Sequence, residues 1–195
     1  MWAAISYLAL GIAFIIVGLS VEAIYFALFF YWTALSLLLV SGAYFFNLAR
    51  IFRKRENGVI PIYIRWAFIP FLMGAQLYNA WSRKNDKVPP LQQIDEQLFL
   101  ACRLFPSDID TMKEMGITAI LDVTCEFDGL EWSSTQENIR YLNIPVLDHS
   151  VPTRAQLNQA INWIHHQVKQ ERSVVVHCAL SRGRSVFGMA GYMVR

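Results

Sequence analysis

Val174-Val175-Val176-His177-Cys178-Ala179-Leu180-Ser181-Arg182-Gly183-Arg184-Ser185 decides how this chain folds and where its chemistry lies. The β-branched run before His177 reads as a buried strand, and the apolar residues from Phe187 to Val194 suit a helix. Cys178 therefore falls at a strand-to-helix turn. In such a turn successive backbone N–H groups curl into a nest for an anion, and the start of the helix adds partial positive charge. A field of that sign favours a thiolate over a thiol, so Cys178 is the expected nucleophile. The backbone of Ala179, Leu180, Ser181, Arg182 and Gly183 is the expected phosphate cradle. Arg184 offers a planar fork that can bind two phosphoryl oxygens at once.

A lone cysteine after a valine run is more often a small buried hydrophobe. Here His177, Arg184 and Ser185 stand in register around it, and that constellation favours chemistry. Ser185 is placed to donate a hydrogen bond to the sulfur, and His177 to orient the loop by bonding to backbone. Covalent catalysis on a phosphate ester also needs an acid for the leaving group. Asp148, within Ile144-Pro145-Val146-Leu147-Asp148-His149, is the candidate, because it follows a strand in a loop that leads into a helix. As a bare aspartate it would otherwise serve as a turn residue or helix cap.

Cys178, five intervening residues, Arg184 and Ser185, with His177 before and Asp148 upstream, resemble the cysteine-dependent dual-specificity phosphatases. Residues from about Leu91 to Arg195 carry the resemblance. It implies an α/β sandwich with a mainly parallel sheet, attack of Cys178 on phosphorus, phosphate binding by Arg184, and proton transfer by Asp148. It implies no metal and no organic cofactor. Two features depart from the family's usual pattern: Ser181 stands where a glycine is common, with Gly183 two positions later, and only eleven residues follow Arg184. The domain is therefore expected to be incomplete at its C-terminal end. The basic Arg182 beside Gly183 resembles members that act on phospholipid phosphates.

Local patterns agree with that fold class. Gln97 to Leu104, Ile117 to Thr124 and Ile139 to Val146 read as strands, and Ser107 or Asp108 caps a helix stopping at Gly116. Thr153 and Gln156 form a capping box, followed by Leu157, Ile161, Ile164 and Val168 at helical spacing. Asp122 reads as structural. Glu126, Asp128 and Glu131 read as a solvated acidic rim, since they would repel a phosphate. His149 reads as a loop residue, and His165 and His166, side by side on a helix, read as surface or half-buried residues. The three cysteines, Cys102, Cys125 and Cys178, show no paired spacing, which argues against zinc and fits a reducing compartment.

The other end of the chain is of a different kind. Hydrophobic residues make up 55% of the sequence, above the roughly 45–50% of soluble proteins, and the excess lies in the first 81 residues. Glu22 is the sole charge before Arg50, and the runs Trp2 to Val21 and Ala23 to Ala49 are each long enough for a span, which needs about 20 apolar residues. The pattern predicts a transmembrane hairpin over residues 1–49, turning near Glu22. It lacks the basic start and cleavage site of a secretory signal.

Residues 50–90 form a basic juxtamembrane and interfacial segment that ends in a linker over Ser82 to Pro90. From Arg50 to Lys87 there are eight basic and two acidic residues, whereas residues 88–195 carry nine basic and twelve acidic. Positive charge beside the second run predicts a cytoplasmic phosphatase domain on a cell inner membrane, and attraction to anionic lipid. Val59 to Trp81, with Arg65, Pro61 and Pro70, reads as interfacial or re-entrant; a third span would reverse the compartment. The expected partners are the lipid bilayer and a phosphorylated lipid or phosphoprotein substrate. Nucleic acid is excluded, because the basic residues crowd a membrane boundary. Two other function classes remain: a phosphate-binding membrane anchor without turnover, and a sulfur-transfer enzyme of the rhodanese type, against which Arg184, Ser185 and Asp148 argue.

Overall fold

A computed structural model describes residues 2–86, 89–129, 138–180 and 183–193. Leu130 and Glu131 of the acidic stretch, and Ser181 and Arg182 of the cradle, lie outside the described residues. The chain forms two compact units, one of Met1–Arg53 with Ile60–Tyr78 and one of Lys54–Val59 with Asn79–Arg195.

In the first unit, α1 (Trp2–Ser20) and α2 (Ile24–Phe45) pack as a helical hairpin whose turn surrounds Glu22. The two helices meet through small residues: Gly11 faces Leu38 so closely that a Cβ would lie 2.8 Å from the Leu38 Cδ2 atom. Ser41 Oγ donates to the Ala4 carbonyl at 2.8 Å. Large apolar side chains such as Trp2, Ile16, Leu19, Tyr25 and Phe26 point outward and are exposed. Small residues inside and apolar bulk outside suit hydrocarbon rather than water. Among the described residues these are the two helices long and apolar enough to cross a membrane.

A 3-10 turn, Ala49–Phe52, leads toward α3 (Ile62–Asn85), which is one continuous helix with Pro70 inside it. It does not stop at Trp81, as the polar composition beyond that point suggested. Arg83 explains the extension, because its fork grips Asp108 at 2.9 and 2.6 Å and the Arg103 carbonyl at 2.7 Å. Those partners keep the last turn helical where local sequence alone favours a linker.

The second unit is built on a five-stranded mixed sheet, β1 (Leu91–Asp95), β2 (Leu98–Ala101), β3 (Ile117–Thr124), β4 (Arg140–Val146) and β5 (Ser173–His177), in the order β1-β2-β5-β3-β4. All neighbours are parallel except β1 with β2. The valine run is the central strand β5, as its apolarity requires when helices cover both faces. The alternation along it is simple: Val174, Val176 and Cys178 belong to one core, and Val175 to the other. Helices α5 (Arg154–Val168) and α6 (Arg184–Met193) cover the first face, and α4 (Ile109–Glu114) the second.

Most predicted elements are present. Thr153 accepts from the Gln156 N–H at 3.2 Å and Gln156 Oε1 accepts from the Thr153 N–H at 2.9 Å, the expected capping box. Asp108 does not cap α4; its carboxylate accepts the Phe105 N–H at 2.7 Å and holds Arg83. Strand β1 carries no strand signal in the sequence, because Leu91-Gln92-Gln93-Ile94-Asp95 is a polar edge with little alternation.

Gly58 belongs to this second unit. Its φ is +82°, its carbonyl accepts the Gly129 N–H at 2.7 Å, and a Cβ there would strike the Tyr141 hydroxyl and ring. Replacing Gly58 with alanine is expected to lower unfolding stability by roughly 1–3 kcal/mol, read as a reduced denaturant midpoint with an unchanged slope.

Candidate active site

The C-terminal edges of β3, β4 and β5 converge on one end of the sheet, where open parallel sheets place ligand-binding residues. Strand β5 delivers His177 and then Cys178, and α6 opens with Arg184 and Ser185. Strand β4 ends at Val146, two residues before Asp148, and β3 runs through Asp122 and Thr124 to Glu126 just beyond it. Local propensity makes the strands; parallel register brings residues distant in sequence to one edge.

Cys178 is 3% exposed and lies on the core face covered by α5 and α6. Its Sγ is 3.2 Å from Ser185 Oγ, and Ser185 is fully buried. The expected sulfur–hydroxyl contact is therefore present, across the loop from the strand end to the helix start. Gly183 O accepts the Phe187 N–H at 3.2 Å, which begins the helical ladder just past the loop.

Arg184 is buried, and its fork is taken by Glu126: Nη1 donates to Oε2 at 2.9 Å and Nη2 to Oε1 at 2.7 Å. Nη1 also donates to the Val146 carbonyl at 2.9 Å. Glu126 is thus a buried partner of the guanidinium, not part of a solvated rim. An interior arginine demands a counter-charge, and a sequence separation of 58 hides that pairing from local reading. Burial pushes the Glu126 carboxyl up, but the Arg184 charge and hydrogen bonds outweigh it and hold the group below its ordinary range. Burial likewise opposes the charge on Arg184, and Glu126 reverses that, raising the guanidinium well above its ordinary value. Among the described residues, Arg184 Nε is a buried donor without a hydrogen-bond partner.

Asp148 sits at the rim, its side chain 42% exposed, with Oδ1 3.4 Å from Arg184 Nη2 and Oδ2 3.6 Å from His149 Nε2. It thus combines solvent access with proximity to the guanidinium. His149 is exposed and occupies the left-handed region at φ 55°.

A second cluster of buried charge lies on the opposite face of the sheet. Asp122 pairs with His177 in the β3–β5 register. Its Oδ2 accepts from Lys54 Nζ at 2.6 Å and from the Tyr141 hydroxyl at 2.6 Å, and its Oδ1 from the Thr124 N–H and hydroxyl at 2.8 and 2.7 Å. Lys54 completes its shell on the Thr124 carbonyl and hydroxyl, and its side chain is fully buried. Lys54 therefore leaves the basic juxtamembrane cluster that the sequence assigned to anionic lipid. Burial raises the Asp122 carboxyl, and Lys54, His177 and Tyr141 together overcome that and hold it far below its ordinary value.

His177 Nε2 lies 3.7 Å from Asp122 Oδ2. Burial pushes this imidazole below its usual 6.5, Lys54 and Arg103 add to the fall, and Asp122 with the Cys178 backbone resists it. Cys125 sits beside Glu126, its Sγ donating to Oε2 at 3.3 Å, and burial followed by that carboxylate pushes its thiol well up. Cys102, Cys125 and Cys178 are all buried, and none of the three is in a disulfide.

The depressed groups set the pH dependence of stability. A histidine kept neutral by folding loses stabilisation as pH falls below about 6.5, and carboxylates held ionised lose theirs below about 4, because the unfolded chain binds those protons more readily. In detergent the thermal midpoint is expected to fall in two stages between pH 7 and 3. Glu126→Gln, which strands a buried guanidinium, should cost about 3–5 kcal/mol at pH 7 and flatten the lower stage; an unchanged midpoint would refute the pairing.

Residues 98–195 match the family described as dual specificity phosphatase, catalytic domain. The chain is 28% identical over 144 residues to phosphatidylglycerophosphate phosphatase PTPMT1 of Arabidopsis thaliana, a match covering 72% of this chain and 42% of that protein. It is 28% identical over 105 residues to PTPMT2 of the same plant, covering 52% and 46%. The crystal structure of DUSP15 superposes with a TM-score of 0.47 at 25% identity, over 53% of this chain and 64% of that one. The chain spans less than half the length of the two plant relatives. With half of its length matched, from β2 through the Cys178 loop and α6, this chain belongs to the dual specificity phosphatase family.

Proposed function

We propose that the chain is a membrane-anchored phosphatase that hydrolyses a phosphate monoester, with phospholipid phosphate the favoured substrate class, through a phosphocysteine. The observation that carries this reading is the Cys178–Ser185 contact at 3.2 Å beside an Arg184 whose fork is locked by Glu126 while its buried Nε has no hydrogen-bond partner among the described residues. In that arrangement Glu126 aligns the guanidinium, and Nε with the outer edge of Nη2 meets the phosphoryl oxygens, rather than the whole fork as the sequence suggested.

Cys178 sulfur attacks phosphorus; the S–P bond forms, the ester P–O bond breaks, and Asp148 gives its proton to the departing oxygen. Water then attacks the phosphocysteine, Asp148 takes a proton from it, and the S–P bond breaks with Ser185 donating a hydrogen bond to the leaving thiolate. Phosphate leaves with both side chains restored to their starting states. The partly exposed carboxylate of Asp148 suits a group that must meet substrate and water in turn.

The lipid preference draws on two supports. The plant relatives carry names that specify phosphatidylglycerophosphate, and an apolar hairpin would hold the site beside headgroups. The basic residues Arg50, Arg53 and Arg55 after α2 favour a cytoplasmic face.

Phosphate release from phosphatidylglycerophosphate and from a phosphotyrosine peptide, compared on the purified chain in detergent, tests the activity. Release is expected to favour the lipid and to vanish in Cys178→Ser; equal release by that variant would overturn the phosphocysteine. Asp148→Asn is expected to lower kcat about 10²–10⁴-fold on an alkyl phosphate, and far less on nitrophenyl phosphate, whose leaving group needs no proton. For topology, a thiol introduced by Glu96→Cys in the exposed β1–β2 turn should react with an impermeant reagent only from the cytoplasmic side of sealed vesicles.

A further inference from the structure

The contacts of the two residues that flank Cys178 reach beyond the matched catalytic region, directly to Asn79 and through Asp122 to Lys54. Ala179 O accepts from Asn79 Nδ2 at 2.7 Å and from the Arg103 N–H at 3.1 Å. Arg103 is itself fixed through its carbonyl by Arg83 Nη1 at 2.7 Å. On the other side, His177 faces Asp122 at 3.7 Å, and Asp122 is held at 2.6 Å by Lys54, whose ammonium has no solvent contact. Asn79 is 2% exposed and comes from the last turns of α3; Lys54 comes from the short stretch before it. Strand β5 ends at His177 and the chain bends at Ala179, so holding the residue on each side of Cys178 limits the backbone rotations that set where its Cα–Cβ bond points.

We propose that Asn79 and Lys54 are positioning residues for Cys178, Asn79 by anchoring the Ala179 carbonyl and Lys54 through Asp122 and His177. The proposal rests on the phosphocysteine reading, and it assigns to residues before the catalytic region a part in the geometry of the loop. Neither residue touches substrate. A carbonyl held by a buried amide cannot rotate into the loop, where it would place negative charge against a phosphate. An Asp122 deprived of Lys54 would draw a proton or reorient, and its strand neighbour His177 would follow.

Asn79→Asp tests the first arm, because it keeps the size of the side chain and replaces the donor by an acceptor facing Ala179 O. Lys54→Met tests the second, and Lys54→Met with Asp122→Asn removes both charges together while keeping the Thr124 and Tyr141 partners. Each protein, full length in detergent, is measured for kcat and KM on nitrophenyl phosphate and for orthovanadate Kd by calorimetry. Values are normalised to the folded fraction from near-ultraviolet circular dichroism.

Misplacement of a reacting group by about 1 Å can cost on the order of a hundredfold, so Asn79→Asp and Lys54→Met are each expected to lower kcat by about tenfold to a hundredfold. KM should stay near wild type, vanadate Kd should rise in step with the loss of kcat, and the double variant should recover most of what Lys54→Met loses. Normalised kcat and vanadate Kd at wild-type values in both single variants would overturn the proposal, since a merely structural role lowers only the folded fraction. A wild-type chain that binds vanadate without releasing phosphate would instead sink the proposed activity, and the vanadate series would still decide the positioning.

Discussion

The bidentate pair between Arg184 and Glu126 is the contact on which the reactive end of the sheet depends. A buried guanidinium without a counter-charge is strongly unfavourable, whereas a forked pair with its remaining donors engaged is tolerated. Glu126 meets Nη1 and Nη2, and Nη1 also reaches the Val146 carbonyl. One side chain therefore ties the first residue of α6 to the ends of β3 and β4. The same turn of helix carries Ser185, so closing that pair brings the hydroxyl to the Cys178 sulfur on β5. The place of the Ser185 hydroxyl beside the sulfur is a consequence of satisfying an interior charge.

A second interior charge lies across the sheet. Lys54, Asp122, Thr124 and Tyr141 form a closed network in which each of the Asp122 oxygens accepts two hydrogen bonds. In a low-dielectric interior such a network is rigid when complete and costly when broken. Its position one strand from His177 puts a stiff floor behind the residue that precedes the sulfur. The two clusters are built on neighbouring residues of one strand: Asp122 and Thr124 turn to one side and Glu126, past the strand's end, reaches the arginine. The stretch from Asp122 to Glu126 thus serves both faces of the same edge.

Charge placement also changes the reading of the juxtamembrane segment. Arg50, Arg53, Lys54 and Arg55 look alike in sequence, as a run of positive charge beside an apolar helix. Lys54 alone enters the interior of the second unit, because Asp122 is the carboxylate that needs it. Arg83 behaves in the same way at the end of α3, where Asp108 and the Arg103 carbonyl take its fork. Basic residues that composition assigns to a lipid surface therefore divide between membrane-facing candidates and internal counter-ions.

The valine run, the capping box at Thr153 and the apolar hairpin were legible because each depends on neighbours within a turn or a strand: β-branched apolarity, a side chain three residues from its amide, and unbroken hydrocarbon length. The grouping of Cys178, Arg184 and Ser185 was legible for the same reason, since a stretch of eight residues holds all three. Glu126, Lys54, Asn79 and the edge strand β1 were not, because each is defined by a partner on another element: Glu126 by an arginine beyond two more strands, Lys54 by an aspartate on β3, Asn79 by the carbonyl of Ala179, and β1 by the open edge of β2. Sequence alone determined which segments are apolar, which are helical or extended, and which side chains could do chemistry. Tertiary structure decided which charges are interior, since burial is a property of the packed sheet, and only there does an unpaired charge cost enough to select its partner.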